Sequence, residues 1–305
     1  LTKLFPVFLM SPISCAQYLS LDMPKFDIVI FDEASQMPTS EAVGAISRGN
    51  SLIVVGDSKQ MPPTAFFKSK GSDEEYVDLG DQQSILDDCD VIGMPSRSLL
   101  WHYRSRHESL IRFSNAKFYQ NKLTTFPSPN DMLSKVSFRK VDGVYGGTKA
   151  TNEKEAKAIV AEIGRRLSSP ELRKKSIGVV TFSSVQQEVV EDLLQDFFAE
   201  HKDLELINAE NPEPIIVKNL ENIQGDERDV ILFSVCYGPD KEGKMYYRFG
   251  PINNAGGEKR LNVAVSRARY EMIVFASFEP ELLSAMKTDS RGAQDLYSFL
   301  RYAKY

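Results

Sequence analysis

The sequence predicts an α/β protein in which parallel sheets are flanked by helices. Short apolar runs alternate with amphipathic helical patterns along most of the chain. That alternation is the signature of parallel strands joined by crossover helices. Two of the runs end in acidic residues separated by enough chain for one helix and a return strand. Both carboxylates then lie on one edge of a sheet. The 305-residue length suits about two domains.

Composition narrows the class. Hydrophobic residues make up 42% and charged residues 26%, which is ordinary for a globular chain and excludes disorder, collagen and coiled coil. No apolar run approaches the ~18 residues needed to cross a bilayer. The net charge of −5 excludes a global basic field and leaves only a local basic groove for nucleic acid. Cys15, Cys89 and Cys236 are scattered, and His102, His107 and His201 do not cluster with them. This argues against a disulfide framework or zinc site and for a reducing, cytoplasmic location. Lys3, the apolar stretch Leu4–Met10 and the small residues Ser14-Cys15-Ala16 faintly imitate a signal peptide. Pro6 interrupts that stretch, and a buried strand is the better reading. The chain begins with Leu rather than Met, so an excised piece of something longer is expected.

The elements follow in order. Strands are expected at Phe5–Met10, Asp27–Phe31, Leu52–Val55, Ser98–Tyr103, Ile177–Thr181, Val230–Val235 and Met272–Ala276. Each is a short apolar run bounded by polar or turn residues. Helices are expected at Thr39–Arg48, Asn152–Leu167, Ser184–Ala199 and Gly257–Ala268. Asn152 with Glu155, and Ser184 with Gln187, stand at capping-box spacing. The acidic stretch Gly71–Asp81 reads as an exposed loop, as do Pro127–Asp131 and Gly143–Thr148. A domain boundary is expected near Pro95, giving domains at 1–94 and 95–305.

The acids carry the first chemical signal. The strand Asp27–Phe31 runs into Asp32-Glu33, and Leu52–Val55 runs into Gly56-Asp57-Ser58-Lys59-Gln60-Met61-Pro62-Pro63-Thr64. Asp57 lies 25 positions after Asp32. Ligands of open parallel sheets bind beyond the carboxyl ends of the strands. A carboxylate there can hold Mg²⁺ opposite a phosphate, and a second can orient water. Gln60 can hydrogen-bond water and phosphate without adding charge, and Pro62 and Pro63 stiffen the loop. The same residues can equally be polar strand ends and a surface turn.

FDEASQ with GDSKQMPPT resembles motifs II and III of superfamily 1 helicases. LLWHYRSRHESLIRFSNAKFY resembles motif IV, and IGVVTFSSVQQ the strand and turn that follow it. NIQGDERDVILFS resembles motif V, and RLNVAVSRARYEMIVFAS motif VI. The nearest branch is the Upf-like helicases, and the stretch KNLENIQGDERDVILFSVCYGPD resembles large bacterial members. The match runs in order from about Phe5 to Phe278.

The resemblance implies a RecA-like P-loop NTPase fold, with part of a first domain and a complete second one. It implies ATP and Mg²⁺ as cofactors and single-stranded nucleic acid as partner, with DNA favoured over RNA through the bacterial members. It makes Asp32 the Mg²⁺ holder, Glu33 the water-activating base and Gln60 the γ-phosphate coupler, with Asp57 beside the nucleotide. Tyr103 becomes the adenine-stacking ring and Arg104 a γ-phosphate contact. Gly225 allows close backbone approach or a positive φ, and Glu227, as the motif implies, accepts a ribose hydroxyl. Arg267 takes the arginine-finger position, on a helix anchored by Leu261, Val265 and Ala268. Its arm is expected to be exposed, while Arg260 and Arg269 are solvated or ion-paired. Trp101 is expected in the core.

Thr181, Ser183, Ser184 and Gln186 follow a strand end, where hydroxyls and helix N-terminal amides can hold phosphates. Thr64 and Asn222 are further nucleic-acid candidates. All six can equally be helix-capping or turn residues. Upf-like members usually carry an aromatic near Ser183, where this chain has Ser, which puts a base-stacking role there in question.

A Walker A loop, GxxxxGK[ST], is absent from the sequence, and the first glycine, Gly44, already follows the acidic pair. The expectation is therefore a fragment of an ATP-dependent motor, inactive by itself, whose phosphate cradle lies upstream in the parent protein. A helicase-shaped binding or regulatory module without ATPase activity is the alternative. A metal nuclease built on Asp32 and Glu33 leaves Arg104 and Arg267 unexplained.

Overall fold

A computed structural model describes residues 4–63, 84–129, 132–146 and 150–305. Thr64 and the acidic stretch Gly71–Asp81 lie outside the described residues, as do the ends of the other two expected loops. The chain divides into two compact units, Leu1–Ser98 and Leu99–Tyr305.

In the first unit, helix α1 (Pro12–Tyr18) starts at Ser11, whose hydroxyl accepts the Ser14 N–H at 3.2 Å. Strand β1 (Phe26–Phe31) pairs in parallel with β2 (Gly49–Val54), Ile30 opposite Ile53. Helix α2 (Thr39–Ile46) makes the crossover between them, and α3 (Ile85–Val91) begins at its N-cap Ser84. Phe31, Ala34, Ala42, Ala45, Ile85 and Cys89 form the core, with Val29, Leu52 and Val54 packed against it. The helices therefore cover one face of the sheet.

The expected strand at Phe5–Met10 does not form. These residues have no regular structure and are largely exposed. Pro6 lacks an N–H, and no described strand pairs with the segment. Only the edge of the Phe8 ring meets Phe26, at 5.5 Å.

The second unit contains a five-stranded, all-parallel sheet. Its strands are β5 (Val136–Lys140), β6 (Ile177–Thr181), β7 (Ile216–Asn219), β8 (Arg228–Ser234) and β9 (Ala268–Ala276), in the order β5-β9-β8-β6-β7. Two further strands, β3 (Trp101–His102) and β4 (Thr124–Thr125), form a separate parallel pair. Ser98–Tyr103 is thus a strand over only two of the expected residues. Trp101 is exposed rather than in the core, and its ring lies 5.0 Å from that of Phe126.

Helices cover both faces of the main sheet, as an all-parallel sheet requires. Helix α5 (Glu153–Ser168), α6 (Ser184–Glu200) and α7 (Lys202–Glu210) pack on Ile177, Val179, Val230, Leu232, Ile273 and Phe275. On the opposite face, Phe233 meets Phe299 of α9 (Arg291–Lys304) edge to face at 5.9 Å. Helices α4 (Ser109–Phe118) and α8 (Gly257–Val265) complete the unit.

The caps depart from the expected pairs in an informative way. Asn152 does cap α5, its Oδ1 accepting from Glu155 N at 3.2 Å. The reciprocal bond is missing, because Glu155 turns into the core and Gln186 Oε1 takes the Asn152 N–H at 2.9 Å. Helix α6 is capped by Ser183 rather than Ser184, with Gln186 N donating at 3.2 Å.

Candidate active site

Asp32 and Asp57 follow the carboxyl ends of two parallel neighbours, so both acids emerge on the same edge of the first unit's sheet. The strands remain linked past their ends. Val55 N donates to Phe31 O at 2.8 Å, and Ala34 N donates to Val55 O at 2.9 Å. Gly56 allows this close approach: a Cβ would lie 3.0 Å from Ser35 N and 3.2 Å from Ala34 N, tighter than an ordinary contact. Two backbone turns therefore touch directly beneath the acids.

Each acidic side chain has a local role in shaping its turn. Asp32 Oδ1 accepts the Glu33 N–H at 2.9 Å. Glu33 adopts a left-handed conformation with φ 53°, a costly state for a residue with a side chain. Its Oε2 accepts from Gln36 Nε2 at 3.3 Å. Asp57 Oδ1 accepts from Lys59 N at 2.8 Å, and its Oδ2 accepts from Gln60 Nε2 at 3.1 Å. Gln60 is thereby tied to the same turn as Asp57. Asp32, Asp57 and Gln60 offer only hard oxygen and amide groups, a donor set that fits Mg²⁺ better than a softer transition metal. Ser35 Oγ is buried beside this turn and has no hydrogen-bond partner among the described residues.

The second unit gathers a different group. Arg104 Nε donates to Glu227 Oε2 at 2.5 Å. Arg269 Nη1 lies 3.6 Å from Glu227 Oε1, while Arg269 Nε donates to Asp229 Oδ1 at 2.9 Å. Arg269 also pairs with Glu213. The sequence carried a signal for this cluster that motif reading passed over. Glu227 and Asp229 alternate at the start of β8, and Arg267 and Arg269 alternate at the start of β9. The two strands are parallel neighbours with Arg228 opposite Ala268, which brings the alternating charges alongside one another.

His102 belongs to this group and was not anticipated. Its Nε2 lies 2.9 Å from Ser105 Oγ. Burial, and then the positive charges of Arg104 and Arg267, push its pKa down to about 4. At neutral pH it is an uncharged ring beside two guanidinium groups. Tyr103 next to it is 77% exposed. Gly225 has φ 90° at the turn before β8, a conformation that favours glycine.

Arg267 is a correction. Its arm is not exposed: the residue is only 2% accessible. Arg267 Nε donates to Val263 O at 2.8 Å and Nη2 to Ser266 Oγ at 3.2 Å. The last turn of α8 therefore fixes the guanidinium, and truncation removes buried hydrogen bonds as well as a charge. Arg269 is ion-paired as expected, and Arg260 Nε meets Glu221 Oε1 at 2.7 Å.

The nucleic-acid candidates separate into two sets. Thr181 and Gln186 are fully buried. Thr181 Oγ1 donates to Ser183 O at 2.9 Å, and Gln186 bridges Asn152 N and Asn152 O. Neither side chain presents itself to solvent in this structure. Ser183 is half-buried as the α6 cap, Ser184 is exposed, and exposed Asn222 accepts from Asn219 N at 2.8 Å.

A buried polar network lies at the carboxyl edge of the main sheet. Glu155 Oε1 accepts from Ser234 Oγ at 2.6 Å and from Cys236 N at 2.7 Å. Asn152 Nδ2 donates to Cys236 O and to Ser277 Oγ. Burial dominates Glu155 and raises its pKa to about 8, against these hydrogen bonds. Burial thus favours the protonated acid; Glu155 ties α5 to the end of β8, and Asn152 ties it to Ser277 just after β9.

Sequence comparison agrees with the motif order. AAA domain family profiles match residues 82–279 and 10–68, the first covering more than half of the chain. The chain belongs to this AAA domain family, within the Upf-like branch of the superfamily 1 helicases. It is 32% identical over 317 aligned positions to the uncharacterized ATP-dependent helicase MG140 of Mycoplasma genitalium, covering all of this chain and 28% of that protein. It is 27% identical over 278 positions to the ATP-dependent helicase upf1 of Schizosaccharomyces pombe, covering 85% of this chain and 27% of that protein. The chain thus spans little more than a quarter of these relatives. A solved arterivirus nonstructural protein 10 (helicase) in complex with DNA superposes with a TM-score of 0.41 at 13% identity, over 88% of this chain and 43% of that one. Among the described residues, no helix is long and apolar enough to cross a membrane.

Proposed function

We propose that the chain carries part of the motor core of an ATP-dependent helicase or translocase that acts on single-stranded nucleic acid, with DNA favoured over RNA, in the cytoplasm. The observation that carries this reading is the parallel β1–β2 pair, which brings Asp32 and Asp57 to one sheet edge over touching backbone turns. That is where an open parallel sheet binds its ligand. Family membership supports ATP as that ligand.

In this reading Asp32 holds Mg²⁺ and Glu33 takes a proton from the attacking water. Gln60 senses the γ-phosphate, and Asp57 orients Gln60 through the bond described above. When bound, the metal neutralises phosphate charge and aligns the oxygens for in-line attack. Tyr103 stacks on the adenine, and Gly225 and Glu227 serve the ribose. Arg104 and Arg267 stabilise charge that develops on the transferred group. Ser183, Ser184, Asn222 and Thr64 are the remaining candidates for the polynucleotide. Buried Thr181 and Gln186 act instead by bracing the strand end and the α6 cap.

The test is steady-state ATPase activity of the full-length protein, with and without single-stranded DNA. Glu33→Gln keeps shape and removes the base. It should cut turnover by about 10²–10⁴-fold while leaving binding of a fluorescent ATP analogue nearly unchanged. Near-normal turnover in this variant would sink the assignment of Glu33. Absence of ATPase activity in the unaltered protein would favour the non-catalytic module.

A further inference from the structure

Arg104 and Glu227 are assigned separate tasks above, one toward phosphate and one toward ribose. In the structure they are engaged with each other. Arg104 Nε donates to Glu227 Oε2 at 2.5 Å, while Glu227 Oε1 faces Arg269 Nη1 at 3.6 Å. The two carboxylate oxygens are thus divided between two guanidinium groups.

We propose that Glu227 parks Arg104 until a triphosphate arrives, and that Arg269 is the positioning residue that holds Glu227 in place throughout the exchange. The proposal rests on the ATP-site reading and adds a competing internal ligand to it.

Arg269 is suited to a fixed role. It is held by Asp229 Oδ1 at 2.9 Å, by Ser176 Oγ at 3.0 Å and by Glu213, and its own carbonyl accepts the Arg106 N–H at 2.7 Å. Its anchors lie on the strand start of β8 and on the segments before β6 and β7. Arg104 is the opposite case. Its Nε pairs with Glu227, and both partners are about one-third exposed. A pair so exposed is weak and exchangeable. A triphosphate offers several charged oxygens to the planar fork of an arginine and so outcompetes a single carboxylate. When Arg104 leaves, Glu227 is not stranded, because Arg269 still neutralises it. Its freed Oε2 then accepts a hydroxyl. One carboxylate therefore serves in turn as a parking place and as a sugar contact.

The experiment uses the 305-residue chain and inorganic tripolyphosphate with Mg²⁺, a probe with the phosphates and no ribose. The ¹⁵Nε resonance of Arg104, assigned by its loss in Arg104→Lys, reports the pair. In the unaltered chain it should show slowed exchange and an ion-paired shift. Glu227→Gln should move it to the free position, and Arg269→Ala should move it partway while Arg104 itself remains. Tripolyphosphate should displace it, and Glu227→Gln should tighten tripolyphosphate binding by up to about five-fold, the range expected on losing a half-exposed competitor. An Arg104 resonance that is the same in the unaltered chain and in Glu227→Gln overturns the parked pair. Weaker tripolyphosphate binding in Glu227→Gln, or binding that leaves the resonance unmoved, overturns the exchange alone. No binding by any variant up to millimolar probe overturns the exchange, whereas the ATP-site reading is judged separately by the ATPase activity of the full-length protein.

Discussion

The two-stranded sheet of the first unit and the five-stranded sheet of the second are built from similar apolar runs, yet they bury them differently. In β1 and β2 the side chains of Val29, Phe31, Leu52 and Val54 face the core formed with α2 and α3. The alternate residues Ile28, Ile30, Ile53 and Val55 are 40–60% exposed. In the second unit, every residue of β6 is buried, and Val230 to Ser234 of β8 are buried too. The difference lies in the layers around the strand. A parallel strand needs cover on both faces. The main sheet has α5, α6 and α7 on one face and α9 on the other. The small sheet has helices on one face, while Ile28, Ile30 and Ile53 on the other stay 43–60% exposed.

The largest expected effect follows directly. Phe233→Ala in β8 opens a cavity in a fully buried site and should cost about 3–5 kcal/mol. Ile30→Ser in β1 removes a side chain that is already 60% exposed, and should stay within about 0.5 kcal/mol. Urea unfolding, with amide hydrogen exchange read separately over β1 and β8, measures both. An Ile30→Ser cost as large as that of Phe233→Ala would break the comparison, because it would mean that the β1–β2 face is covered in solution.

The same contrast explains what the sequence made legible. Periodicity found β1, β2, β6, β8 and β9, because each is dominated by aliphatic residues. It missed β5 and β7. Their sequences, VSFRK and IVKN, carry the charged residues Arg139, Lys140 and Lys218. Both strands lie at the edges of the sheet, where side chains reach water and charges discourage further pairing. Periodicity also proposed Phe5–Met10, where apolar residues occur without a partner strand. At the site, the motif order pointed to Arg104, Arg267 and Glu227, which the structure gathers in the second unit with His102. Burial was not legible. Arg267, Thr181 and Gln186 are polar residue types that ordinarily reach solvent, and only the packed fold shows their hydrogen bonds spent internally.

An intermediate effect sharpens the comparison through pH. The acids at the edge of the small sheet, Asp32 and Glu33, are exposed, whereas Glu155 at the edge of the large sheet is fully buried with its pKa raised from 4.5 to about 8. Below pH 4.5 Glu155 is protonated in both folded and unfolded chains. Between about 4.5 and 8 the folded chain retains a proton that the unfolded chain has lost, so stability falls as pH rises through that window. Glu155→Gln keeps an acceptor for Ser234 and Cys236 and does not titrate. Its stability relative to the unaltered chain should therefore rise between pH 5 and 8, by a few kcal/mol at most in order of magnitude. His102 acts in the opposite direction: it costs stability as pH falls from 6.5 toward 4. That term is common to both proteins and cancels in the difference. A constant difference across the window would show that Glu155 does not hold its proton.

The smallest effect separates two adjacent serines. Ser183 and Ser184 both follow β6, and sequence spacing favoured Ser184 as the cap of α6. The structure gives that role to Ser183, whose hydroxyl accepts from Gln186 N at 3.2 Å, and leaves Ser184 exposed in the first turn. Losing a helix N-cap costs about 1 kcal/mol, while an exposed first-turn serine contributes little to stability. Ser183→Ala should therefore lower the unfolding free energy of the second unit by about 1 kcal/mol, and Ser184→Ala should leave it within about 0.5 kcal/mol. Binding to a fluorescent single strand at low salt should show the reverse order if Ser184 meets the backbone, since a phosphate contact contributes to affinity without bracing the fold. The single Trp101 lies in the second unit, so its fluorescence follows unfolding of that unit. Equal destabilisation by both substitutions would return the cap to a shared role. A strand affinity unchanged by both Ser183→Ala and Ser184→Ala would remove this turn from the nucleic-acid surface and leave Asn222 and Thr64 as its remaining candidates.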